Sequence, residues 1–543
     1  MPISAAVKAL GKTALREAAS RASEMRFAVT RHRAGEAQRT WGLPGQKVIA
    51  LDFNPALSLP EARSASAQLA RGVLERAGVD FFLCPSPSHR ATILGVTQEN
   101  AAAALSALAA APELDGWRAC AAGDALGNPV ITPLGASRLR AVGGVRLWRV
   151  QAATATSRFR SGPTEGVEVL FFGANEDRPH VLEPLVRREG LAGLTLEQTQ
   201  DRDAHGVPQV WARGRDVQEV GFPIDVVYTW VDGADAEWAK SKAQAKAAVE
   251  GVVFTERSDD ESRFADHDEL RYSLRSLEQF APWVRHVWIV AAGQRPAWLR
   301  DSDRVTVVDH REIWPDPAQL PNFNSHAIEA NLHRIQGLAE HFLYLNDDNF
   351  FGRPVSPEQF FRGSGLANAF LSRATVDFAE PVEGEIASTT AAKKARGLVL
   401  EQCGAYPTRK YFHAPAALTR SRQEELERIF PAEFAATRAA QFRTTEDIAA
   451  AGSLSMAYGL ATGSVVTGRI RYDYIDPAVP DGAARMRRYL KARNMDTFCI
   501  NDGSTEESPE ERSATHDRIA GWLEEFLPVR SSFEREEDTV TSA

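Results

Sequence analysis

From residue 222 to about residue 350, short apolar runs alternate with amphipathic stretches along the chain. The apolar runs are rich in β-branched and aromatic residues, as buried strands are, and read "IDVVYTWV", "VRHVWIVAAG", "RVTVVDH" and "FLYLNDD". Between them, "HDELRYSLRSLEQFAPW" carries Leu270, Leu274 and Leu277 on one face and predicts a helix, as do "EWAKSKAQAKAAVE" and "SHAIEANLHRIQGLAEH". Strands that alternate with helices of this length predict an α/β fold with a doubly wound, mostly parallel sheet.

The rest of the chain divides around this region. Residues 45–220 contain further short apolar runs and the alanine-rich stretch "NAAAALSALAAAP", which predict a smaller N-terminal α/β domain of unknown role. The segment "ARGRDVQEVGFP" breaks the pattern with charge, Gly and Pro, and sets a boundary near residue 220. We therefore expect a basic segment at 1–44, this N-terminal domain, a main domain at 221–505, and a C-terminal helix with an acidic tail at 506–543.

Composition excludes several classes of protein. The chain of 543 residues is 44% hydrophobic and carries a net charge of -9, so it is globular, and nucleic acid is not an expected partner of its body. It has no apolar run of about 18 residues and no cleavable leader, which predicts a cytoplasmic location. The four cysteines show no paired spacing, which argues against a disulfide framework or a thiolate zinc site.

Residues 1–35 depart from the acidic character of the chain. They contain seven Lys or Arg residues against two Glu residues, with apolar residues at helical spacing. This arrangement is typical of an interfacial helix on anionic lipid, and equally of an exposed amphipathic helix packed on the body. Peripheral contact with the inner face of the membrane through residues 1–35 is thus one of two interpretations.

Polar side chains follow the predicted strands at their ends. Asp232 follows the first strand, Asp309 the third, and "NDDN" the fourth. Ligands of parallel α/β sheets bind beyond the carboxyl ends of the strands. Asp347 and Asp348 would repel each other near a partly buried strand end, and a divalent cation is the natural neutraliser. Oxygen ligands predict Mg²⁺ or Mn²⁺, although Asn and Asp are also common turn and cap residues.

Two helices offer candidates for anion binding. Arg271 and Arg275 lie four apart on one helix and could present two guanidinium groups to phosphate, or else pair with Glu269 or Glu278. In "PNFNSHAIEANLH" a helix begins near Ser325, and the free N–H groups of a helix start favour an anion, although this serine is equally a simple cap.

Three later segments complete the candidate set. "YFHAP" offers His413, "FRTTEDIA" offers Arg443 and Asp447, and "FCINDG" ends an apolar run in Asn501 and Asp502. A lone histidine is more often structural than catalytic. Two separate junctions between a strand and an Asn-Asp pair are harder to explain as turns alone.

In chain order, several of these stretches resemble the four signature regions of the Stealth family. The stretches are "IDVVYTWVDGAD", then "DELRYSLRSLEQFAPWVRHVWIV", "FNSHAIEANLHRIQGL" and "YLNDDNFFG", then "YFHAP" with "FRTTEDIA", and "FCINDG". The family includes bacterial capsule and exopolysaccharide phosphotransferases and the animal enzyme that builds the mannose-6-phosphate tag on lysosomal proteins. The resemblance covers residues 222–505 and implies a catalytic fold similar to the nucleotide-sugar glycosyltransferase type.

The resemblance also implies a reaction. A hexose-1-phosphate, such as N-acetylglucosamine-1-phosphate, would pass from a UDP-sugar donor to a hydroxyl of a polysaccharide or oligosaccharide acceptor, with a divalent cation, forming a phosphodiester and releasing UMP. The chain lacks the large inserted modules of the animal enzyme, which favours a bacterial polysaccharide as acceptor. Two alternatives stay open: a conventional UDP-sugar glycosyltransferase that releases UDP, and a non-catalytic protein that binds glycan or nucleotide-sugar.

The resemblance assigns roles to particular positions. Asp348, His413 and Arg443 are the predicted catalytic residues, and either Asp348 or His413 would take the acceptor proton. The predicted metal site draws on Asp347, Asp348 and Asp502. The predicted substrate-binding residues, taken from the family motifs and from the helix and loop positions above, are Asp225, Asp232, Arg271, Arg275, Asn324, Ser325, His326, Asp447 and Asn501.

Overall fold

The structure is a computed structural model that describes residues 28–30, 38–42 and 49–536, with gaps at 87–88, 125–129, 133, 135, 141, 155–156, 176, 189, 249–265, 267, 383, 478 and 502–508. Side chains are described from Asp52 onward, except those of residues 137, 140, 480 and 509–513. The predicted basic segment lies outside the described residues, apart from two short strands. The described residues up to Arg213, without residues 89 and 90, form one compact unit, and those from Gly214, with residues 89 and 90, form a second.

The N-terminal unit is built from two sheets and five helices. Its strands are β1 (Ala28–Thr30), β2 (Gln38–Gly42), β3 (Ile49–Phe53), β4 (Phe82–Cys84), β5 (Ile93–Thr97), β6 (Arg118–Ala121), β7 (Gly144–Trp148), β8 (Gln151–Ala152), β9 (Val167–Ala174) and β10 (Leu182–Pro184). Its helices are α1 (Leu59–Arg76), α2 (Ala101–Ala110), α3 (Ser137–Arg140), α4 (Leu196–Gln200) and α5 (Gln209–Ala212). The sheet orders are β1-β2-β3-β8 and β4-β5-β9-β7-β6, with β10 beside β9. The smaller α/β domain is thereby confirmed.

The C-terminal unit contains the longer series of elements. Its strands are β11 (Ile224–Thr229), β12 (Val287–Ala291), β13 (Val305–Asp309), β14 (His341–Asn346), β15 (Asn349–Phe351), β16 (Ala367–Ala369), β17 (Leu371–Thr375), β18 (Arg409–Tyr411), β19 (Ala416–Thr419), β20 (Val465–Thr467), β21 (Tyr472–Ile475) and β22 (Thr497–Ile500). Its helices are α6 (Ala236–Ala248), α7 (Glu269–Phe280), α8 (His310–Ile313), α9 (Ser325–Glu329), α10 (Ala387–Cys403), α11 (Arg420–Ile429), α12 (Pro431–Ala439), α13 (Ser455–Thr462), α14 (Pro480–Ala492) and α15 (Pro509–Phe526). None of the described helices is long and apolar enough to cross a membrane.

The central sheet of this unit has the order β13-β12-β11-β14-β19. The first four strands pair in parallel, and β19 runs antiparallel to β14. The chain moves outward from β11 through β12 and β13, and then returns to β14 on the other side of β11. The carboxyl ends of β11 and β14 therefore flank a topological switch point, where α/β sheets bind ligands. This topology confirms the predicted α/β fold with a doubly wound, mostly parallel sheet.

A separate three-stranded sheet, β15-β22-β21, joins segments that are distant in the sequence. Strand β15 begins directly after Asp348 and pairs antiparallel with β22. The backbone N–H of Ile500 donates to the carbonyl of Asp348 at 3.1 Å. Asn501 is thereby placed beside Asp348.

The predicted helix over residues 325–341 is shorter in the structure. Helix α9 ends at Glu329, and a single 3-10 turn follows at Leu332–Arg334. The Asn331 side chain donates to the carbonyl of Ala327 at 2.9 Å, and Gly337 adopts a φ of 88°, which no right-handed helix contains. The chain therefore turns here and enters β14.

Helix α7 packs its leucine face into the core, because Leu270, Leu274 and Leu277 are each fully buried. Leu274→Ala is expected to lower the free energy of unfolding by about 2–5 kcal/mol, since it removes buried methyl groups and leaves a cavity. Urea titration followed by circular dichroism measures this change. Leu196→Ala, at a position 53% exposed, is the matched control and should change stability by less than about 0.5 kcal/mol. Equal stability of the two variants would contradict the packing of α7.

Candidate active site

A cavity of about 670 Å³ opens at the carboxyl ends of β11 and β14. Its walls come from the segments that follow these strands, from the starts of α9 and α10, and from loops near residues 413, 443 and 501. The predicted site residues that line it are Ser325, His326, Asp347, Asp348, His413, Arg443 and Asn501. Because a cavity at a switch point with convergent polar groups is the usual place for a ligand, we identify it as the candidate active site.

Asp348 lies at the centre of a hydrogen-bonded cluster. Its Oδ1 accepts from Asn349 Nδ2 at 2.8 Å, and its Oδ2 accepts from Asn501 Nδ2 at 2.8 Å and from Cys499 Sγ at 3.2 Å. His413 Nε2 lies 3.6 Å from Oδ1. Burial opposes ionisation, but His413 and the amide and thiol donors still hold the pKa of Asp348 below its ordinary value. The carboxylate is therefore charged and fixed in orientation.

Asp347 is in a different electrostatic environment. Burial, followed by the charges of Asp348, Glu269 and Asp266, raises the pKa of Asp347 well above its ordinary value. Burial and the charge of Glu269 likewise raise the pKa of Asp266 to about 7. Carboxyl groups that converge in this way repel each other, and a bound cation would relieve that repulsion.

One group of potential metal ligands occurs in the part of the chain that the structure describes. Asp348, His413 and Cys499 offer ligand atoms within 4.8 Å of one another. Burial and the charge of Asp348 raise the pKa of Cys499 well above its ordinary value, so Cys499 remains a thiol that donates to Asp348. The donors that fit a hard cation are thus the carboxylates of Asp348 and Asp347. Asp502 lies outside the described residues, and its metal role stays a prediction.

Arg443 enters the cavity on a loop that Asp447 anchors. Asp447 accepts from the backbone and hydroxyl of Thr444 at 3.0 and 2.9 Å and from Asn324 Nδ2 at 2.8 Å. Arg443 Nη2 donates to Ser325 Oγ, and its Nε is buried with no hydrogen-bond partner among the described residues. Asn324 and Asp447 do not line the cavity, and their side chains are used in these structural bonds. We therefore infer that Asn324 and Asp447 hold Arg443 in position. This role replaces the substrate contact that the sequence predicted for them.

Glu329, at the end of α9, is a cavity residue that the sequence analysis missed. Its Oε2 is buried with no hydrogen-bond partner in the described structure, and burial raises its pKa against the charges of His326, Arg443 and His413. A carboxyl group in this position can accept a proton or bind a sugar hydroxyl. Its spacing was a usable signal, because Glu329 lies one helical turn after Ser325 and so shares its face.

Polar cavity residues that the sequence did not predict and that lie on short strands include Asn368, Lys410, Tyr411 and Tyr474. Asn368 and Tyr411 each place a buried oxygen that has no hydrogen-bond partner among the described residues. Tyr474 donates to Asn501 Oδ1 at 3.0 Å. These groups come from short strands outside the central sheet, and no local pattern predicts which of their faces meets the cavity.

Asp225 lies at the opposite end of β11 from the cavity. Its carboxylate is fully buried and accepts from Arg285 at 2.7 and 2.6 Å, from Trp288 Nε1 at 2.9 Å and from the backbone of Ala339 at 2.9 Å. These bonds fasten β11 to its neighbours. The structure therefore gives Asp225 a structural role in place of the predicted substrate contact.

Arg271 and Arg275, predicted to bind substrate, meet the C-terminal segment instead. Arg271 Nε donates to Glu534 at 2.7 Å, and Arg275 donates to both oxygens of Glu534 at 2.8 and 2.9 Å and to Glu524 at 2.8 Å. The Glu534 side chain is fully buried. Neither arginine lines the cavity, and both guanidinium groups are bound by carboxylates of the C-terminal segment.

Glu534→Gln is expected to destabilise the protein in a pH-dependent way. Burial opposes the charge of Glu534, but Arg275 and Arg271 lower its pKa to about 2 from 4.5. A carboxyl group with a depressed folded-state pKa stabilises the fold above its unfolded pKa, and this contribution is lost as pH falls toward the folded value. The variant should thus lose roughly 3 kcal/mol at pH 7.

Urea titrations of the wild type and the Glu534 variant at several pH values measure this contribution. The difference between them should shrink between pH 4.5 and pH 2. Glu525→Gln changes an exposed carboxyl group on the same segment and serves as the control. A stability difference that does not vary with pH would contradict the ion-pair account.

Asp232 lines an adjoining cavity of about 460 Å³. Its backbone N–H donates to Gln294 Oε1 at 3.2 Å, and Gln294 Nε2 donates back to its carbonyl at 2.9 Å. Trp230, Trp238 and Phe323 line both cavities, so the two are neighbours that share aromatic walls. The predicted contact between Asp232 and substrate is possible only through this second cavity.

A doubly wound α/β sheet with a carboxylate, an imidazole and a guanidinium group at its switch point is suited to group transfer. The comparisons with known proteins are specific. Models of Stealth protein conserved regions 1, 2, 3 and 4 match residues 222–250, 263–369, 412–457 and 488–543. An exopolysaccharide phosphotransferase of Streptomyces coelicolor is 38% identical over 536 residues, covering 93% of this chain and 88% of the relative.

A second relative has a similar coverage. The exopolysaccharide phosphotransferase CpsY of Mycobacterium tuberculosis is 33% identical over 485 residues, covering 88% of this chain and 90% of the relative. The chain belongs to the Stealth family, which confirms the resemblance seen in its motifs. It is an enzyme of the phosphotransferase class.

Among solved structures, the galactosyltransferase LgtC in complex with donor and acceptor sugar analogues matches with a TM-score of 0.30 and 13% identity, covering 55% of this chain and 95% of LgtC. An active-site mutant of LgtC matches with a TM-score of 0.29 and 14% identity. A likeness this low bears on neither the substrate nor the mechanism.

Proposed function

We propose that the chain transfers a hexose-1-phosphate, such as N-acetylglucosamine-1-phosphate, from a UDP-sugar to a hydroxyl of an exopolysaccharide, forming a phosphodiester and releasing UMP. The observation that carries the proposal is the meeting of Asp348, His413 and Arg443 in one cavity at the switch point of the sheet. The names of the relatives support phosphate transfer and an exopolysaccharide acceptor. Membership of a phosphotransferase family leaves the non-catalytic alternative without support.

Arg443 is the proposed ligand of the transferred phosphate. In-line displacement at phosphorus leaves little covalent chemistry to the protein, so positioning and charge neutralisation dominate the rate. The buried, unpaired Nε of Arg443 is available for a non-bridging oxygen, while the bond from Nη2 to Ser325 holds the side chain in place. The guanidinium group offers two donors in a fixed plane, which an ammonium group does not.

Glu329 and His413 are the proposed proton carriers. Desolvation opposes the charge of His413, but Asp348 and Glu329 still raise its pKa above the ordinary value, which favours an imidazolium that donates to a phosphate oxygen. Glu329, with its raised pKa and unpaired Oε2, is then the acceptor of the sugar hydroxyl proton. This assignment adds Glu329 to the two candidates that the sequence offered.

A divalent cation, Mg²⁺ or Mn²⁺, fits the acidic wall formed by Asp347 and Asp348. When bound, it would neutralise the diphosphate of the donor and the departing UMP. The adjoining cavity is the proposed place for the nucleoside, because its walls include Trp230 and Trp238, whose rings suit a base, and Asp232, whose carboxyl group suits a ribose hydroxyl.

Product analysis tests the proposal. The purified protein is incubated with Mg²⁺ or Mn²⁺, with UDP-N-acetylglucosamine or UDP-glucose, and with a mixed oligosaccharide acceptor, and the nucleotides are then separated. UMP that forms only in the presence of acceptor is the expected product. UDP as the product would make the enzyme a conventional glycosyltransferase that attacks the anomeric carbon.

We also propose, from the basic sequence alone, that residues 1–35 bind the membrane surface. Deleting them is expected to weaken cosedimentation with vesicles that contain phosphatidylglycerol, since each basic residue is attracted to anionic lipid, and to leave transfer activity in place. Vesicles of phosphatidylcholine alone are the control. Equal partitioning of the deleted and full chains would discard the membrane interpretation.

A further inference from the structure

Four large apolar side chains on the segments that flank α10 are exposed to solvent. Phe378, Val382, Ile386 and Tyr406 are 62%, 58%, 63% and 51% exposed, and we call them the apolar ledge. Ile386 also lines the cavity, so the ledge adjoins the cavity wall at this residue. Large apolar side chains exposed together are typical of a binding surface rather than of an ordinary protein exterior.

Phe378, Val382 and Ile386 of the ledge lie on one loop, whose two ends are tied to one buried lysine, and Tyr406 follows α10. Lys393 Nζ lies 3.2 Å from Asp377 Oδ1 and 2.7 Å from Glu385 Oε1, and its side chain is 3% exposed. The neighbours of these carboxylates along the chain, Phe378 and Ile386, are therefore held near each other. Lys393 directly follows two residues of α10 that line the cavity. The loop is thus anchored beside the cavity.

The two aromatic rings of the ledge are held in a fixed arrangement. Phe378 and Tyr406 pack edge to face, with ring centroids 5.0 Å apart and an angle of 75° between the planes. The guanidinium group of Arg396 lies 4.9 Å from the centroid of Phe378. Arg396 Nη2 also donates to the carbonyl of Ala379 at 3.4 Å. The rings are therefore preorganised, and more than half of each side chain remains open to solvent.

We propose that the apolar ledge binds the sugar residues of the acceptor glycan that lie beyond the reacting one, an inference that rests on the proposed function. The reacting sugar lies in the cavity, so the rest of a polysaccharide must leave through the mouth. There it meets Ile386 first and then Phe378 and Tyr406. Sugar rings present apolar C–H faces that pack on aromatic rings, and hydroxyl groups that donate to carboxylates such as Asp377.

The charge of the loop favours a glycan over other occupants. Residues 377–386 read "DFAEPVEGEI", with four acidic residues and no basic ones. Anionic lipid attracts basic segments, so this surface is repelled by a membrane. In a symmetric dimer through the ledge, the same acidic loop would face its own copy. Neutral sugar residues carry no charge, so the acidic loop does not repel them.

The test uses the double variant Phe378→Ala with Tyr406→Ala and acceptors of graded length. Exopolysaccharide of the organism that encodes the chain is partly hydrolysed and separated by size, and each fraction is assayed by UMP release. The variant is expected to raise KM for the longest fractions about tenfold, because two stacking contacts are lost. The KM for the donor and the kcat with the shortest acceptor should stay unchanged. Leu196→Ala, at a position 53% exposed in the N-terminal unit, is the control.

Each other outcome overturns a definite part of the account. An unchanged KM for long fractions in the double variant, or a wild-type KM that does not fall with acceptor length, overturns the ledge while the proposed function stands. Absence of UMP release by the wild type from every fraction contradicts the proposed function itself. Sedimentation velocity and flotation with phosphatidylglycerol vesicles complete the test. Loss of self-association or of vesicle binding in the variant, with unchanged KM, would assign the ledge to a second copy or to a membrane and overturn the proposal.

Discussion

Replacing Asp348 with asparagine is expected to lower the rate of transfer by roughly a thousandfold or more while the protein stays folded. The side chain would lose the negative charge that faces Asn349, Asn501 and His413 in the cavity. Asn349 and Asn501 both donate to this carboxylate, and an amide accepts through only one of its two terminal atoms. The ionised form that attracts a cation and holds His413 would also be absent.

The fold should survive this change because Asp348 lies beside other acidic groups. Burial and the charge of Asp348 contribute to the raised pKa of Asp347, so removing one of the two charges relieves repulsion. The lowered pKa of Asp348 shows, however, that its donors stabilise the charged form, and this stabilisation is lost in the variant, so the melting temperature is expected to fall modestly while unfolding stays cooperative. Asp301→Asn, at an aspartate whose side chain is 91% exposed, is the matched control for both readouts.

The assay for this prediction is the initial rate of UMP release at saturating donor and acceptor. Binding of Mn²⁺, measured by calorimetry on the same samples, should weaken in parallel with the rate. An Asp348→Asn protein with wild-type turnover would contradict the site. A protein that loses activity only because it unfolds would be recognised by the absence of a cooperative thermal transition above the assay temperature.

Replacing Arg443 with alanine is expected to lower kcat by roughly a hundredfold to a thousandfold, since it removes the donors that would stabilise charge on the transferred phosphate. Arg443→Lys should recover little of this loss, because an ammonium group lacks the planar pair of donors. Ser325→Ala, which frees Nη2 but keeps the guanidinium group, should give an intermediate loss. The three variants together separate charge from orientation.

The control for this series is Arg187→Ala, at an exposed arginine of the N-terminal unit. A rise in the KM for donor with unchanged kcat would show that Arg443 binds the ground state and transition state equally, which contradicts its proposed role. Full activity of Arg443→Lys would reduce its role to charge alone.

Much of the fold follows from local pattern. The strands β11, β12 and β14 are runs of β-branched and aromatic residues that are buried on both faces along most of their length, and such runs have few other stable environments. Their parallel arrangement follows from the helices between them. The length of α9 did not follow, because its end depends on the Asn331 side chain bond and on the backbone of Gly337, which apolar spacing does not reveal.

The candidate site was predictable where a motif and a strand end coincide. Asp348 is the second residue after β14, and Asn501 directly follows β22, so both side chains were expected at an edge of a sheet. Arg275 shows the limit of this approach. Helical spacing identifies a pair of guanidinium groups, but their partner Glu534 lies 259 positions along the chain and only the fold brings them together. Asp225 was misassigned because a motif marks a residue without stating which end of its strand faces the ligand.

The fate of the β-phosphorus of the donor tests the central claim most directly. The enzyme is given a UDP-sugar that carries ³²P in the β-phosphate, together with exopolysaccharide acceptor and Mn²⁺, and the products are separated into polymer and nucleotide. Transfer of hexose-1-phosphate predicts that the label enters the polymer and that the nucleotide product is unlabelled UMP. Label that stays in the nucleotide as UDP, while sugar enters the polymer, would contradict the account.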